Sequence, residues 1–438
     1  MKRLYLSMMS TFLVAAPAWA DPTVDQLAGV QQQLQQLTAT VQQLTATVQA
    51  QQQRLAVLEQ TNLQLQQRAN ATPSTAAVAQ LPSPNEGVLK SLGTGLSRVA
   101  QSINPEIGVV ADVVGQLSES SLDAGGNDKL SVREVELVFG SAIDPYSRFD
   151  STITFSDVEN PDIEEAYITH WGLPGEIKAK LGRMRPRIGK ASAVHGDQLD
   201  TVDEPLVVSE YLGKEGLFRT GLELSGFLPT PWTSVTHEVT AGMIEGGVGD
   251  GGTLFGSTRR FPSLYAHLKN FWDISDMSNL EIGTTYLTGA QGSATPFDVH
   301  AIGLDATLVH YMTSANKLKW QNEFYLQNRP RSFLVTDSRG RTKLNANPWG
   351  LYSLVDYRLS PRLGVGGRFD YVEPVDVDPS TRARAADVAW AGYLTFYQSE
   401  FSRWRLQYKH TDFAAGGDDN TVFVQGTVAI GVHKHQLQ

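Results

Sequence analysis

LSVREVELVFGSAIDPYSRFDSTITFSD, residues 130–157, reads as two β-strands joined by the turn Asp144-Pro145-Tyr146. Successive side chains of a strand face opposite sides, so Val135, Leu137 and Phe139 share one face while Glu134 and Glu136 share the other. The same alternation recurs at 176–188, where Ile177, Ala179 and Leu181 oppose Lys178 and Lys180. One face suits an apolar surrounding and the other water.

Working outward, strand-like segments with turn signals between them fill the chain from 107 to its end. They fall at 107–118, 130–143, 147–157, 163–173, 176–188, 218–228, 232–244, 263–272, 279–289, 299–312, 317–328, 349–358, 363–373, 386–397, 402–412 and 420–433, sixteen in all. After the second segment, tight connections (144–146, Pro174-Gly175, 229–231, 313–316, 359–362, 398–401) alternate with long ones (189–217, 245–262, 329–348, 374–385). Short turns at one end and long loops at the other are expected of an outer-membrane barrel, and a soluble sandwich has no reason to enforce that asymmetry. Hydrocarbon tolerates no open sheet edge, so the strands must close. A closed cylinder of sixteen encloses an aqueous channel unless something plugs it. Trp171, Trp232, Trp272, Trp320 and Trp404 sit near expected short turns, and Trp349 and Trp390 begin strands descending from long loops, as in an aromatic girdle.

Composition narrows the alternatives. Of 438 residues 41% are hydrophobic and 19% charged, which excludes disorder by composition. There is no Cys, so thiol catalysis, thiolate metal sites and disulfides are excluded. The net charge of -10, or -12 once Lys2 and Arg3 leave with a leader, opposes general attraction to nucleic acid. Mean hydropathy is -0.22, and past the leader no run of 18 apolar residues occurs, so a helical membrane bundle is excluded while a barrel is not.

Residues 1–20 carry Lys2 and Arg3, an apolar core around Met8 to Ala16, and Ala18-Trp19-Ala20, the pattern of a secretory signal peptide. Residues 21–68 hold a heptad repeat. Its seam takes Leu27, Leu34, Val41, Val48 and Leu55 at one core position and Val30, Leu37, Leu44, Leu58 and Leu65 at the other, with Gln51 and Asn62 as polar register-setters. A 3.5-residue period sustained this long specifies a left-handed coiled coil and therefore an oligomer; a Gln-rich, low-complexity helix is the alternative. Residues 69–106 read as a linker and a short amphipathic helix (Val88, Leu92, Leu96, Val99, Ile103) that could lie at the barrel mouth or enter the lumen. The fold expected is an all-β transmembrane barrel, sixteen-stranded and antiparallel, spanning 107–438 and preceded by an α-helical coiled coil.

The segment STITFSDVENPDIEEAYITHWGLPGEIKAKLGRMRPRIG, residues 151–189, resembles the strand-turn-strand of the phosphate-selective porin family in its EEAYI strand and GRMRPRIG strand end. The segment EPLVVSEYLGKEGLFRTGLELSGFLPTPW, 204–232, is similar to porin-like outer-membrane proteins often described as receptors. These two segments carry most of the likeness, and the coiled coil is similar to the periplasmic extension of some sugar-specific porins. The resemblance implies sixteen-stranded barrels assembled as trimers in the Gram-negative outer membrane, among its lipids and lipopolysaccharide. The chain departs from the family in ending His433-Lys434-His435-Gln436-Leu437-Gln438 in place of a terminal aromatic. A gated receptor barrel would need 22 strands and a globular plug, for which 21–106 is too largely heptad and linker.

Candidate solute contacts are Lys178, Lys180, Arg183, Arg185 and Arg187. On a regular strand the lysines and arginines face opposite sides; a bulge near Gly182 would turn the arginines inward, sparing them lipid. Guanidinium forks match phosphate or carboxylate oxygens, so a lumenal ring of them would favour anions; a solvated rim or pairing with lipopolysaccharide is the other reading. Connection 189–217 is the candidate constriction loop, with His195, Asp197, Asp200, Asp203, Glu204, Glu210 and Glu215 against Lys190 and Lys214. Folded inward, it would oppose the basic strand and set up a transverse field; left outside, its acids would be solvated or bind divalent cations. Connection 329–348 (Arg329, Arg331, Arg339, Arg341, Lys343) could form an outer anion funnel. No catalytic motif, cofactor motif or metal site is read: HExxH and GxSxG are absent, GGVGDGG at 246–252 lacks the Lys of a phosphate loop and suits a mobile external loop, and His433 with His435 is a weak metal signal. The function expected is passive diffusion of small hydrophilic solutes, with anions preferred. The alternatives are a structural anchor gripping the cell wall through the coiled coil, or a surface receptor or metal-binding barrel.

Overall fold

The computed structural model describes residues 105–119, 128–157, 161–230, 234–248, 252–256, 261–291, 297–336, 342–375 and 386–431. The leader, the coiled-coil seam, the linker, the amphipathic helix and the His433–His435 pair lie outside the described residues.

The strands are β1 (Glu106–Ser118), β2 (Lys129–Asp144), β3 (Ser147–Phe155), β4 (Asp162–His170), β5 (Lys178–Met184), β6 (Arg219–Phe227), β7 (Val235–Ile244), β8 (Ser263–Ser275), β9 (Ser278–Gln291), β10 (Phe297–Tyr311), β11 (Lys317–Thr336), β12 (Thr342–Ala346), β13 (Trp349–Ser360), β14 (Leu363–Val372), β15 (Asp387–Ser399), β16 (Ser402–Asp412) and β17 (Asp418–Gly431). Each barrel strand pairs antiparallel with its neighbour, and β1 pairs with β17 from Gly108↔Gly431 to Ser118↔Thr421, which closes the cylinder. The short β12 pairs with β11 only from Arg329 outward, while β13 pairs with β11 over Lys317–Leu326. Sixteen strands therefore make the wall and β12 extends one hairpin beyond it.

Alternating chemistry sets the two faces. On β16, Trp404, Leu406 and Tyr408 are exposed on the outside while Arg403, Arg405 and Gln407 are buried within. On β2, Glu134 and Glu136 point in with Val138, as the two-residue period requires. Among the described residues no helix is long and apolar enough to cross a membrane, and the apolar belt belongs to strands.

The short turns are closed by their own residues. Asp144, Ser275, Thr313, Ser360 and Ser399 each accept, through a side-chain oxygen, the backbone N–H two residues on, at 2.8 to 3.3 Å. Such turns satisfy their own backbone, so they stay short. Trp171, Trp320 and Trp404 lie exposed beside these turns, and Trp390 lies exposed near the other rim.

Several elements differ from the sequence expectation, β12 lying wholly inside the expected connection 329–348. β5 spans Lys178–Met184 where 176–188 is expected, because Pro174–Glu176 forms a 3-10 turn ahead of it and the chain leaves the wall after Met184. β11 runs on to Thr336 through what reads as a loop. Of 246–252, read as an external loop, the described residues 246–248 are buried, and just beyond them Leu254 and Phe255 are buried too, Leu254 N–H donating to the Tyr211 carbonyl at 2.9 Å.

Candidate functional site

Connection 189–217 enters the barrel and crosses its interior. Gly189 begins it with φ 61, a left-handed conformation that glycine adopts freely. A Cβ there would strike the Glu323 carboxylate and the Tyr325 hydroxyl. That close approach lets Glu323 of β11 accept the backbone N–H groups of Lys190 and Ala191 at 3.2 and 3.1 Å. Lys190 itself reaches Glu281 of β9 and lies 3.3 Å from Asp305 of β10.

The middle of the loop lands on the far wall. Asp200 pairs with Lys319 of β11. Asp203 accepts from Arg368 of β14 at 3.0 Å and from Lys409 and Gln407 of β16 at 2.7 and 2.6 Å. Arg368 also holds the Asp203 and Glu204 carbonyls at 2.7 and 3.2 Å, and Arg405 donates to the Thr201 carbonyl at 2.9 Å. Helix α1 (Leu206–Tyr211) then packs Val207, Val208 and Tyr211 into a buried apolar cluster with Ile244, Leu254, Phe255, Tyr325 and Tyr352. Glu210 accepts Thr253 N–H at its carbonyl at 2.9 Å, so α1 carries the inner end of 245–256.

The near flank is acidic. His195 Nδ1 lies 2.7 Å from Glu164 and 3.5 Å from Glu136, and its Nε2 lies 3.4 Å from Glu165. Burial and the Arg185 charge oppose protonation of His195, but Glu136 and Glu164 outweigh them and hold its pKa well above the usual imidazole value. Burial, reinforced by Glu164, pushes the Glu215 carboxyl up to about 9. Arg185 pairs with Glu164 at 3.3 Å and also donates to the Glu215 carbonyl.

The five basic candidates do not act as one wall. β5 keeps its register with both β4 and β6, so no bulge forms at Gly182. Gly182 instead serves a close approach, since a Cβ would strike the Ala166 carbonyl and the Tyr167 backbone. Lys178 and Lys180 face inward opposite outward Leu181, and Lys180 stacks over Tyr167 at 4.3 Å. Arg183 shares the outward parity and pairs with Asp162 at 2.9 Å near the rim. Arg185 turns in beyond the strand end, and Arg187, 51% exposed, meets Glu238 at 3.4 Å. The bulge sits on β4, where Thr152↔Glu165 is followed by Ile153↔Ile163 and the skipped Glu164 points inward beside Glu165. The acidic loop therefore does not oppose β5, from which it departs. Asp200 and Asp203 meet cations of β11, β14 and β16 outside the candidate set, although Arg403, Arg405 and Lys409 alternate with Trp404, Leu406 and Tyr408 in plain view. Arg329, expected in an outer funnel, is buried and donates to the Leu254 carbonyl at 2.9 Å.

Beside the loop a cavity of about 300 Å³ remains, lined by Arg187, Lys190, His267 and Lys269 together with Glu238 and Glu281.

Asp203 is accessible to a pH test. Burial raises its pKa, but Arg368 and Lys409 overcome this and hold the carboxyl below its ordinary 3.8. The pKa is depressed in the folded state, so the anchoring is full above 3.8 and is lost only as pH falls through the lower folded value. Pepsin is expected to leave the loop intact at pH 4 and to cut it only once the pH is taken below 2, whereas Asp203→Asn should be cut already at pH 4. Equal resistance of variant and wild type at pH 4 would refute the anchor.

No family model matches the sequence. A relative from Aquifex aeolicus (strain VF5), described as an uncharacterized protein, is 27% identical over 294 residues; the match spans 62% of this chain and 61% of that protein's length. Among solved structures, Pseudomonas putida OprB at high pH is similar at TM-score 0.50 and 11% identity, over 78% of this chain and 97% of OprB. The outer membrane channel DcaP of Acinetobacter baumannii superposes at TM-score 0.49 and 13% identity, over 75% of this chain and 96% of DcaP. The likeness to OprB extends to the barrel fold.

Proposed function

We propose that the chain is a passive outer-membrane channel for small hydrophilic solutes, with residues 1–20 as its export signal and 21–68 as a periplasmic coil that organises a trimer. The observation that carries this reading is a closed barrel with an apolar outside and a charged inside, narrowed by a loop latched across its interior. A channel needs a narrow passage held in fixed geometry, and buried ion pairs supply it.

Anion preference is the finer part of the proposal. Arg187, Lys190 and Lys269 outnumber Glu238 and Glu281 around the cavity, and Lys178 and Lys180 lie on the same inner wall. The phosphate-selective resemblance of 151–189 points the same way. Reconstitution in a planar bilayer is expected to give conductance steps in threes and an anion-selective reversal potential; a silent bilayer removes the channel reading and leaves the anchor. Arg187→Glu with Lys269→Glu should reduce the anion-to-cation permeability ratio by roughly fivefold or more, since a charge ~4 Å from the path is worth about 1 kcal/mol in a water-like dielectric. An unmoved reversal potential would place the solute path elsewhere.

A further inference from the structure

Glu134 and Glu136 of β2 and Asp197 of the loop bring three carboxylates together, each contributing an oxygen within 4.8 Å of the others. The backbone explains the meeting. The β1–β2 register shifts at Asp112/Val113, which skips Arg133 and sets Arg133 and Glu134 side by side on the inner face, with Glu136 two residues on. The 3-10 turn Gly196–Gln198 then holds Asp197 over them.

Their surroundings offset them only in part, His195 Nδ1 lying 3.5 Å from Glu136 Oε1. Asp197 is 0% exposed, and neither of its carboxylate oxygens has a hydrogen-bond partner. Oε1 of Glu134 and Oε1 of Glu136 are likewise buried without one. The nearby cations make their shortest contacts elsewhere. Arg133 lies 2.7 Å from Asp112 and donates to the Val202 carbonyl. Arg185 and His195 are held chiefly by Glu164 and Glu165, with His195 touching Glu136 only at 3.5 Å. Arg403 donates to the backbone carbonyl of Asp197, not to its carboxylate. Ionised carboxylates out of water without donors are strongly disfavoured unless a proton or a metal joins them.

We propose that Glu134, Glu136 and Asp197 bind one Ca²⁺ ion that fastens the loop to β2. Three carboxylates, each able to bind through one or two oxygens, supply the hard, all-oxygen shell that Ca²⁺ takes. Zn²⁺ would favour imidazole, and His195 is committed to Glu164 at 2.7 Å. The site bridges loop and wall whether or not the barrel conducts, so it stands or falls separately from the channel reading.

The test uses the full-length protein in detergent, stripped with chelator and held at pH 7.5, with CaCl₂ titrated by calorimetry and bound metal counted by equilibrium dialysis. The wild type is expected to take up one more Ca²⁺ per chain than Asp197→Asn, and Glu136→Gln should weaken binding at least tenfold. Heat-modifiable gel mobility confirms that each variant is folded. Ca²⁺ should slow tryptic cleavage after Lys190 and Lys214 in the wild type and leave Asp197→Asn unchanged. Under chelator the ranking should reverse, Asp197→Asn being at least as heat-stable as the wild type because an unpaired buried carboxylate is gone. Equal Ca²⁺ uptake by wild type and a folded Asp197→Asn, or uptake of ZnCl₂ with CaCl₂ inert, would overturn the proposal.

Discussion

Replacing residues 194–212 with a short Gly-Ser linker is expected to raise the unit conductance of the barrel roughly three- to fivefold, since conductance follows the narrowest open area of the channel. The wall should survive the change. β5 and β6 pair directly from Lys178↔Ser225 to Met184↔Arg219, so the ladder does not depend on the loop that joins them. What is lost is the crossing material: the Asp200 and Asp203 latches, the His195 cluster and α1. Tyr325, Tyr352 and Ile244 would then face an open lumen, so some heat stability should go as well. An unchanged conductance in a folded variant would mean that solute does not pass the loop.

Arg368→Ala is expected to release the loop from the far wall and to cost about 3–5 kcal/mol, the usual penalty for breaking a buried ion pair from one side. The guanidinium is fully buried; its Nε donates to Asp370 at 2.7 Å and its fork holds Asp203 at 3.0 Å. Removal strands Asp370, itself buried, and frees two loop carbonyls. Thermal denaturation and limited proteolysis of 189–217 read the loss. Arg368→Lys should rescue little, because one ammonium cannot reproduce a fork that contacts both carboxylates. The double change Arg368→Ala with Asp370→Ala should cost less than the single one, as it removes the stranded charge. A single variant as heat-stable and protease-resistant as the wild type would show that Lys409 and Gln407 suffice.

Much of the wall was legible because a strand declares its faces every second residue. Val135, Leu137 and Phe139 against Glu134 and Glu136 needed no tertiary knowledge, and the self-sealing turns at Asp144 and Ser399 mark strand ends locally. The interior was not legible in the same way. Whether Glu164 points in depends on a bulge that the pairing of β3 with β4 decides, and a glycine on the next strand was the more visible candidate. Where Asp200 and Asp203 land depends on how far the loop travels across the lumen, which no local pattern encodes. Arg403, Arg405 and Lys409 did announce an inward cationic stripe; their partners, more than 200 positions earlier in the chain, did not.

The seam between β1 and β17 has a temporal consequence. Ser118 donates to Asp419, 301 residues away, so the first strand waits for nearly all of the chain before its second neighbour exists. Until then the growing sheet presents two raw margins, each able to recruit a foreign strand. A molecule ordered this way folds late and all at once, its two margins joining only when the last strand arrives.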